Sequence, residues 1–313
     1  MPKNKYLRDT FGDFLVNNGS KYNDMVVLDA DLSSSTRTYK FADKYPERFF
    51  DFGIAEQNMV GAAMGFAISG KMPIISGFSI FTTGRAWEFI RLICHDNLNV
   101  KIVTTHGGIV GEDGSTHNAL EDLSLMSTLP NLTVLVPADN IELESMLSYA
   151  FNTKGPFFIR LPREGFPSVH SENYQFLVGQ PDVLKEGTDI GLIGIGYGSS
   201  MALRAAKGIE QDFNVSIKVV NQSTLKPIDS LAISAATEQL KQLVIIEEHN
   251  IYCGAGSILA RIISNKHPKI IKNIGINDTF GESGSREAIL KKYHLDLEGI
   301  IDKILKMTSL SKQ

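Results

Sequence analysis

The groups in this sequence that could do chemistry are an acid, two aromatic rings, a glycine-rich loop bracketed by histidines, and a few arginines. The acid is Glu56, in Asp51-Phe52-Gly53-Ile54-Ala55-Glu56-Gln57-Asn58. It precedes an uncharged run of small and apolar residues, 59–67, which is expected to form a helix buried on most sides. A carboxylate at the mouth of such a helix can complement the helix dipole or serve a ligand. Phe78 and Phe81 leave the end of an apolar segment three residues apart, a spacing that suits core packing as well as a flat ligand. His106, Asp113 and His117 belong to the loop His106-Gly107-Gly108-Ile109-Val110-Gly111-Glu112-Asp113-Gly114-Ser115-Thr116-His117. The string Arg160-Leu161-Pro162-Arg163 offers guanidinium forks suited to an anion, although an exposed pair at a domain edge would look the same.

These residues need strand ends to hold them. Residues 7–16 read as a first helix, and 25–28 as a strand that runs into a polar, serine-rich loop containing Asp31 and Ser35. Strands are expected at 49–54, 72–75, 100–104, 133–136 and 157–161, with helices after Glu56, from about 83 to 93, at 120–126 and at 141–151. Regular alternation of this kind argues for a parallel, doubly wound sheet, whose ligands lie at the carboxyl ends of its strands.

From Pro162 to Gly187 the periodicity fades and Pro and Gly accumulate, which marks a connection between domains. The expected division is 1–175 and 187–313, each an α/β domain with a mainly parallel sheet. The second half repeats the pattern, with strands at 190–195, 215–220, 243–246 and 270–274. Its Gly194-Ile195-Gly196-Tyr197-Gly198 turn is a weak dinucleotide signal, because the next strand ends in Asn221 where an acid for a ribose would stand. Glu247-Glu248-His249-Asn250 could suggest acid–base chemistry.

Composition narrows the partners. The 313 residues suit two domains, and 31 Lys plus Arg against 35 Asp plus Glu leave no block of charge of the kind that meets nucleic acid or a membrane surface. No apolar run is long enough to span a bilayer and no signal-type segment follows Met1, so the cytoplasm is the expected location. Cys94 and Cys253 form no Cys-x-x-Cys pair and the histidines have no ligand spacing, so no disulfide framework and no metal bound by this chain alone are expected.

Taken in order, the Gly-Ile-Ala-Glu-Gln-Asn string, the Phe78/Phe81 segment, the His106–His117 loop and the Glu-Glu-His-Asn string resemble the C-terminal half of transketolases. The chain is most similar to the small subunit of transketolases split into two polypeptides. The resemblance implies a pyrimidine-binding domain followed by a transketolase C-terminal domain, and thiamine diphosphate as cofactor. On it, Glu56 would hydrogen-bond the N1′ atom of the aminopyrimidine, with Phe78, Phe81, Ile54 and Asp31 around that ring. Arg8, Ser35 and Arg163 would hold a substrate phosphate, His106, Asp113 and His117 would contact sugar hydroxyls, and His117 would also assist catalysis. A third aromatic of the family's pyrimidine pocket is replaced by Thr83-Gly84-Arg85. The Glu247–Asn250 string would be structural and would support a dimer.

Thiamine enzymes hold the diphosphate through Mg at a Gly-Asp-Gly with an Asn downstream, and that arrangement does not occur here. The resemblance therefore implies a partner subunit that carries the diphosphate domain and binds the Mg, with this chain pairing to itself through its C-terminal domain in a heterotetramer. The expected reaction is transfer of a two-carbon ketol unit from a ketose, or its phosphate, to an aldose. The β subunit of a 2-oxoacid dehydrogenase, half of a xylulose phosphate synthase-like enzyme, and a catalytically silent scaffold subunit are the alternatives.

Overall fold

The computed structural model describes residues 6–310; residues 1–5 and 311–313 lie outside it. The first sheet is built from β1 (Met25–Asp29), β2 (Phe49–Asp51), β3 (Met72–Phe78), β4 (Lys101–Thr105), β5 (Thr133–Leu135) and β6 (Phe157–Arg160). The second uses β7 (Asp182–Lys185), β8 (Ile190–Gly194), β9 (Ile217–Asn221), β11 (Gln242–Asn250) and β12 (Ile270–Ile276), while β10 (Thr224–Lys226) crosses back to the first. The strand orders are β10-β5-β6-β4-β3-β1-β2 and β12-β11-β8-β9-β7. All pairings are parallel except those of the edge strands β10 with β5 and β7 with β9.

Two edge strands link the halves. β10, from the second half of the sequence, extends the first sheet, and β7 lies in the proline- and glycine-rich stretch that the sequence reads as a connection. Neither has a readable period, since three or four residues paired along one edge need no alternation. One continuous apolar core joins the two sheets, including Leu28, Ile75, Met59 and Phe158 from the first half and Ile193, Val220, Ile245 and Leu259 from the second. Two further cores cover the outer faces, one around Phe11, Ile74 and Leu147, the other around Leu192, Ala205 and Ile300.

In the first sheet the chain leaves β1 toward β2 and returns on the other side as β3, so the strand order reverses between β1 and β3. A crevice opens at the carboxyl ends there. The helix that follows β2, Glu56–Ile68, has Met59, Val60 and Ala63 buried against the body, but Gln57, Asn58, Gly65 and Ile68 are exposed. The expectation of burial on most sides is thus met on one face only. The cover comes from β1, β3 and the helices Ser79–Arg85 and Trp87–His95, and among the described residues Gln57, Asn58, Gly65 and Ile68 stay exposed. Ala86 interrupts the helix expected over 83–93, leaving two segments, Ser79–Arg85 and Trp87–His95. Among the described residues no helix is long and apolar enough to cross a membrane, and no cluster of His, Cys, Asp or Glu could hold a metal ion.

Candidate functional site

The carboxyl ends of β1, β3, β4 and β6 bring together the separated segments singled out in the sequence. Glu56 opens its helix as the first helical residue, and its side chain is 5% exposed. Its charge there is favoured by the helix N-terminus. Its partner is Arg85, whose Nη1 donates to both carboxylate oxygens at 2.9 and 3.2 Å. Arg85 also lays its guanidinium over the Phe81 ring, 4.4 Å from the centroid. These groups border a cleft of about 450 Å³ lined by residues 54–58 and Arg85. Ile54 stands at its rim, 75% exposed.

Phe78 and Phe81 are near parallel, with centroids 6.1 Å apart and planes at 22°. Phe78 is buried and His106 stacks on it at 3.8 Å. His117 meets the edge of Phe81 at 5.0 Å and that of Phe78 at 6.1 Å. The two phenylalanines and two histidines therefore form one aromatic wall, with Phe81 the less buried of the two phenylalanines. Burial first, then the positive charges of Arg8, Arg163, His117 and Arg37, push the His106 imidazole down to about 3. It is neutral at physiological pH and can exchange hydrogen bonds without carrying charge.

The arginines among these groups lie close to one another. Arg8, from the first helix, donates from Nη1 to the Ser35 carbonyl at 3.2 Å, and its Nε, though buried, has no partner. Burial and the neighbouring Arg37 lower its pKa from the usual value. Arg37 is held by Asp9 at 2.6 Å and by the Ser34 carbonyl. Arg163 donates to the Val110 carbonyl at 2.7 Å, and its Nε lies 3.4 Å from Asp113 without hydrogen-bond geometry. Three guanidiniums thus converge around His106, where an anion would relieve their repulsion. Asp31, exposed and with φ of 61°, is set apart from them; its backbone N–H donates to Asp51. Asp31, Arg37 and His106 all have left-handed backbone at or just beyond these strand ends, with φ of 61°, 72° and 61°. Strain of this kind concentrates at functional sites.

Arg160 does different work from Arg163. It is buried, donates from Nε to Asp122 at 2.8 Å, and reaches the carbonyls of Ala119 and Glu248 at 3.0 Å each. Asp122 also accepts from Ser79 Oγ at 2.7 Å, immediately after Phe78. The loop opened by His106 needs glycine because these groups press on it. A Cβ at Gly107 would come within 2.5 Å of Arg160 Nε, and one at Gly108, where φ is +83°, within 2.8 Å of the Glu248 carboxylate.

The Glu247–Asn250 string is structural. Glu247 accepts from the backbone N–H groups of Ala255 and Gly256 at a helix N-terminus, and burial pushes it up to about 7. Glu248 forms a two-point pair with Arg286 at 2.9 and 2.8 Å and also accepts from Ile109 N–H. His249 is buried beside Asp122, with its Nε2 3.8 Å away. The glycine turn after β8 has no room for a dinucleotide: a Cβ at Gly198 would meet the Ile246 carbonyl at 2.0 Å, and Phe166 packs on Tyr197. Asn221 instead donates to Glu142 at 2.9 Å across the two halves.

Two arginines of this site are not evident in the sequence as functional groups. Arg37 lies in a polar stretch with no readable pattern, six positions beyond Asp31 and directly after the short helix Ser33–Thr36. Arg85 stands in a segment whose missing aromatic was visible, but its contact with Glu56 is made between residues 29 positions apart.

The chain and its fold have counterparts in known proteins. Residues 4–168 match the family model described as transketolase, pyrimidine binding domain, and residues 179–300 match that of the transketolase C-terminal domain. A sequence of Methanocaldococcus jannaschii, named as the C-terminal section of a transketolase, is 42% identical over 96% of both chains. A 6-deoxy-6-sulfo-D-fructose transketolase subunit of a Clostridium species is 33% identical over 95% of this chain and 92% of its own length. Among solved structures, a split-gene transketolase described as an inactive β4 tetramer has a TM-score of 0.88 and 41% identity, covering 99% of this chain and all of that one.

Proposed function

This chain belongs to the transketolase family, and from that premise we propose that it is the pyrimidine-side subunit of a split, thiamine diphosphate-dependent ketol transferase. The observation that carries the proposal is Glu56, buried at a helix N-terminus in a cleft it shares with Arg85, which joins it to the Phe81 ring. The residues fit an aminopyrimidine by a test internal to the structure. A flat, nitrogen-rich group, the Arg85 guanidinium, already lies on Phe81 and hydrogen-bonds Glu56.

Bound at this cleft, the cofactor would supply an acidic thiazolium carbon that accepts and releases the two-carbon unit. Glu56 would hold a proton at the pyrimidine N1′, and the aromatic wall would orient the ring. Neutral His106, with His117 and Asp113, would meet sugar hydroxyls beyond it. Arg8, Arg37 and Arg163 would bind a terminal anion, phosphate or sulfonate, with Ser35 beside them. Three guanidiniums suit a sulfonate as they suit a phosphate, and the Clostridium relative is named as a subunit of a sulfo-sugar transketolase.

The diphosphate and its Mg ions would be held by a separate N-terminal subunit. Two features support this: the relatives that match end to end are themselves chains of this extent, and the exposed face of Glu56–Ile68, together with Ile54 and Ile68 at 75% and 71% exposure, offers an apolar surface to a protein partner. A heterotetramer with two copies of each chain, working in the cytoplasm, is the assembly proposed.

Glu56→Gln tests the assignment in the complex with the partner subunit. Proton exchange at the thiazolium carbon is expected to slow by orders of magnitude with the fold retained. Exchange at the unmodified rate would sink the role given to Glu56.

A further inference from the structure

We propose that Arg85 is a resident occupant of the pyrimidine half-site, which holds Glu56 and Phe81 in place and must swing aside when the cofactor is delivered. The inference rests on the functional reading above and adds to it a group that this reading does not require. Arg85 is the last residue of the helix Ser79–Arg85, and Glu56 is the first of Glu56–Ile68. A cation at a helix C-terminus thus meets an anion at a helix N-terminus, so both dipoles favour the pair. The backbone is pinned as well, since Gln57 Nε2 donates to the Arg85 carbonyl at 2.9 Å.

The two contacts of the guanidinium are the two that a bound aminopyrimidine would need. Its Cζ lies 4.4 Å from the Phe81 centroid, a cation–π distance, and its Nη1 donates to both oxygens of Glu56. While it does so, both Glu56 oxygens act as acceptors toward Arg85 and the Phe81 face is covered. A ring nitrogen and the guanidinium compete for one carboxylate and one aromatic face.

Half of the Arg85 side chain is exposed, whereas Glu56 is 5% exposed, so the arginine can leave toward solvent and the acid cannot follow. No other protein group replaces it on Glu56 among the described residues. The chain alone therefore avoids leaving a buried carboxylate unpaired, which would be costly. Because residue 84 is a glycine with open space around it, the end of this helix has room for the side chain to move.

The test is made on the complete complex with the diphosphate-carrying subunit, with thiamine diphosphate titrated at fixed Mg and binding read by calorimetry. Removing a competitor tightens the ligand it competes with, so Arg85→Ala should lower the cofactor dissociation constant roughly 5- to 10-fold, given one partly exposed ion pair and one cation–π contact. Arg85→Lys, which keeps the charge but loses the flat stack, should fall between. Arg91→Ala, which removes an exposed arginine elsewhere, should leave binding unchanged. Unchanged affinity in Arg85→Ala, or weaker affinity, overturns displacement, the latter because it would show that the arginine stays and helps hold the cofactor. Failure of the unmodified complex to bind thiamine diphosphate at all would instead bring down the functional reading, and the inference with it. A structural role alone would loosen binding and not tighten it, so the sign of the change separates the two.

Discussion

Replacing Arg160 by leucine separates the two arginines of Arg160-Leu161-Pro162-Arg163 by free energy. The Arg160 side chain is 7% exposed and pairs at 2.8 Å with an Asp122 carboxylate that is wholly buried. Without the guanidinium, Asp122 keeps only Ser79 Oγ and the Leu123 N–H as hydrogen-bond donors, and the carbonyls of Ala119 and Glu248 each lose a partner. Leaving one member of a buried pair uncompensated costs about 3–5 kcal/mol. Arg163 is 26% exposed, and its Nε lies 3.4 Å from a partner that is itself 30% exposed. A pair in contact with water contributes at most about 1 kcal/mol. Urea unfolding followed by circular dichroism should therefore show Arg160→Leu strongly destabilised and Arg163→Ala nearly unaffected. Substrate binding should show the reverse for Arg163→Ala, with the Michaelis constant for an anionic sugar raised about 10-fold or more and that for a neutral sugar unchanged. A loss below about 1 kcal/mol in Arg160→Leu would refute the view that this arginine is a buried tie between Ser79, the loop and the second domain.

Two histidines should give opposite pH signatures. His170 sits between Asp139 at 2.9 Å and Asp182 at 3.1 Å; burial disfavours its charge, but these two carboxylates carry it up to about 10 from the usual 6.5. Its contribution is fully present below pH 6.5 and is lost as pH rises through about 10, so His170→Gln should flatten the decline of stability over that range; an unaltered decline would place the titration elsewhere. His106 is pushed down by burial and the surrounding cations to about 3, so its contribution is present above pH 6.5 and lost as pH falls toward 3. Unfolding of His106→Asn should be less acid-sensitive in that window, and an identical acid limb would contradict the burial of a neutral ring.

The parallel architecture was legible because β1, β3, β4 and β6, each buried along its whole length, carry adjacent apolar residues and are separated by helical periods, as strands of a sheet covered on both faces require. Glu56, Phe78, Phe81 and the His106 loop were legible as a group because each follows a strand that ends at the same edge. β10 was not, since a three-residue edge strand that returns from the other half of the chain leaves no local pattern. The open face of Glu56–Ile68 was hidden for a related reason. An uncharged helix reads as buried whether the cover is its own chain or another protein. The stack of His106 on Phe78 and the pair of Arg85 with Glu56 join residues 28 and 29 positions apart, and periodicity carries no information about such contacts.

Titration calorimetry with thiamine diphosphate and Mg, on this chain alone and on its mixture with the subunit bearing the diphosphate domain, tests the half-site directly. Weak or undetectable binding by the chain alone, and tight Mg-dependent binding by the mixture, is the expected result. Tight Mg-dependent binding by the chain alone would contradict it.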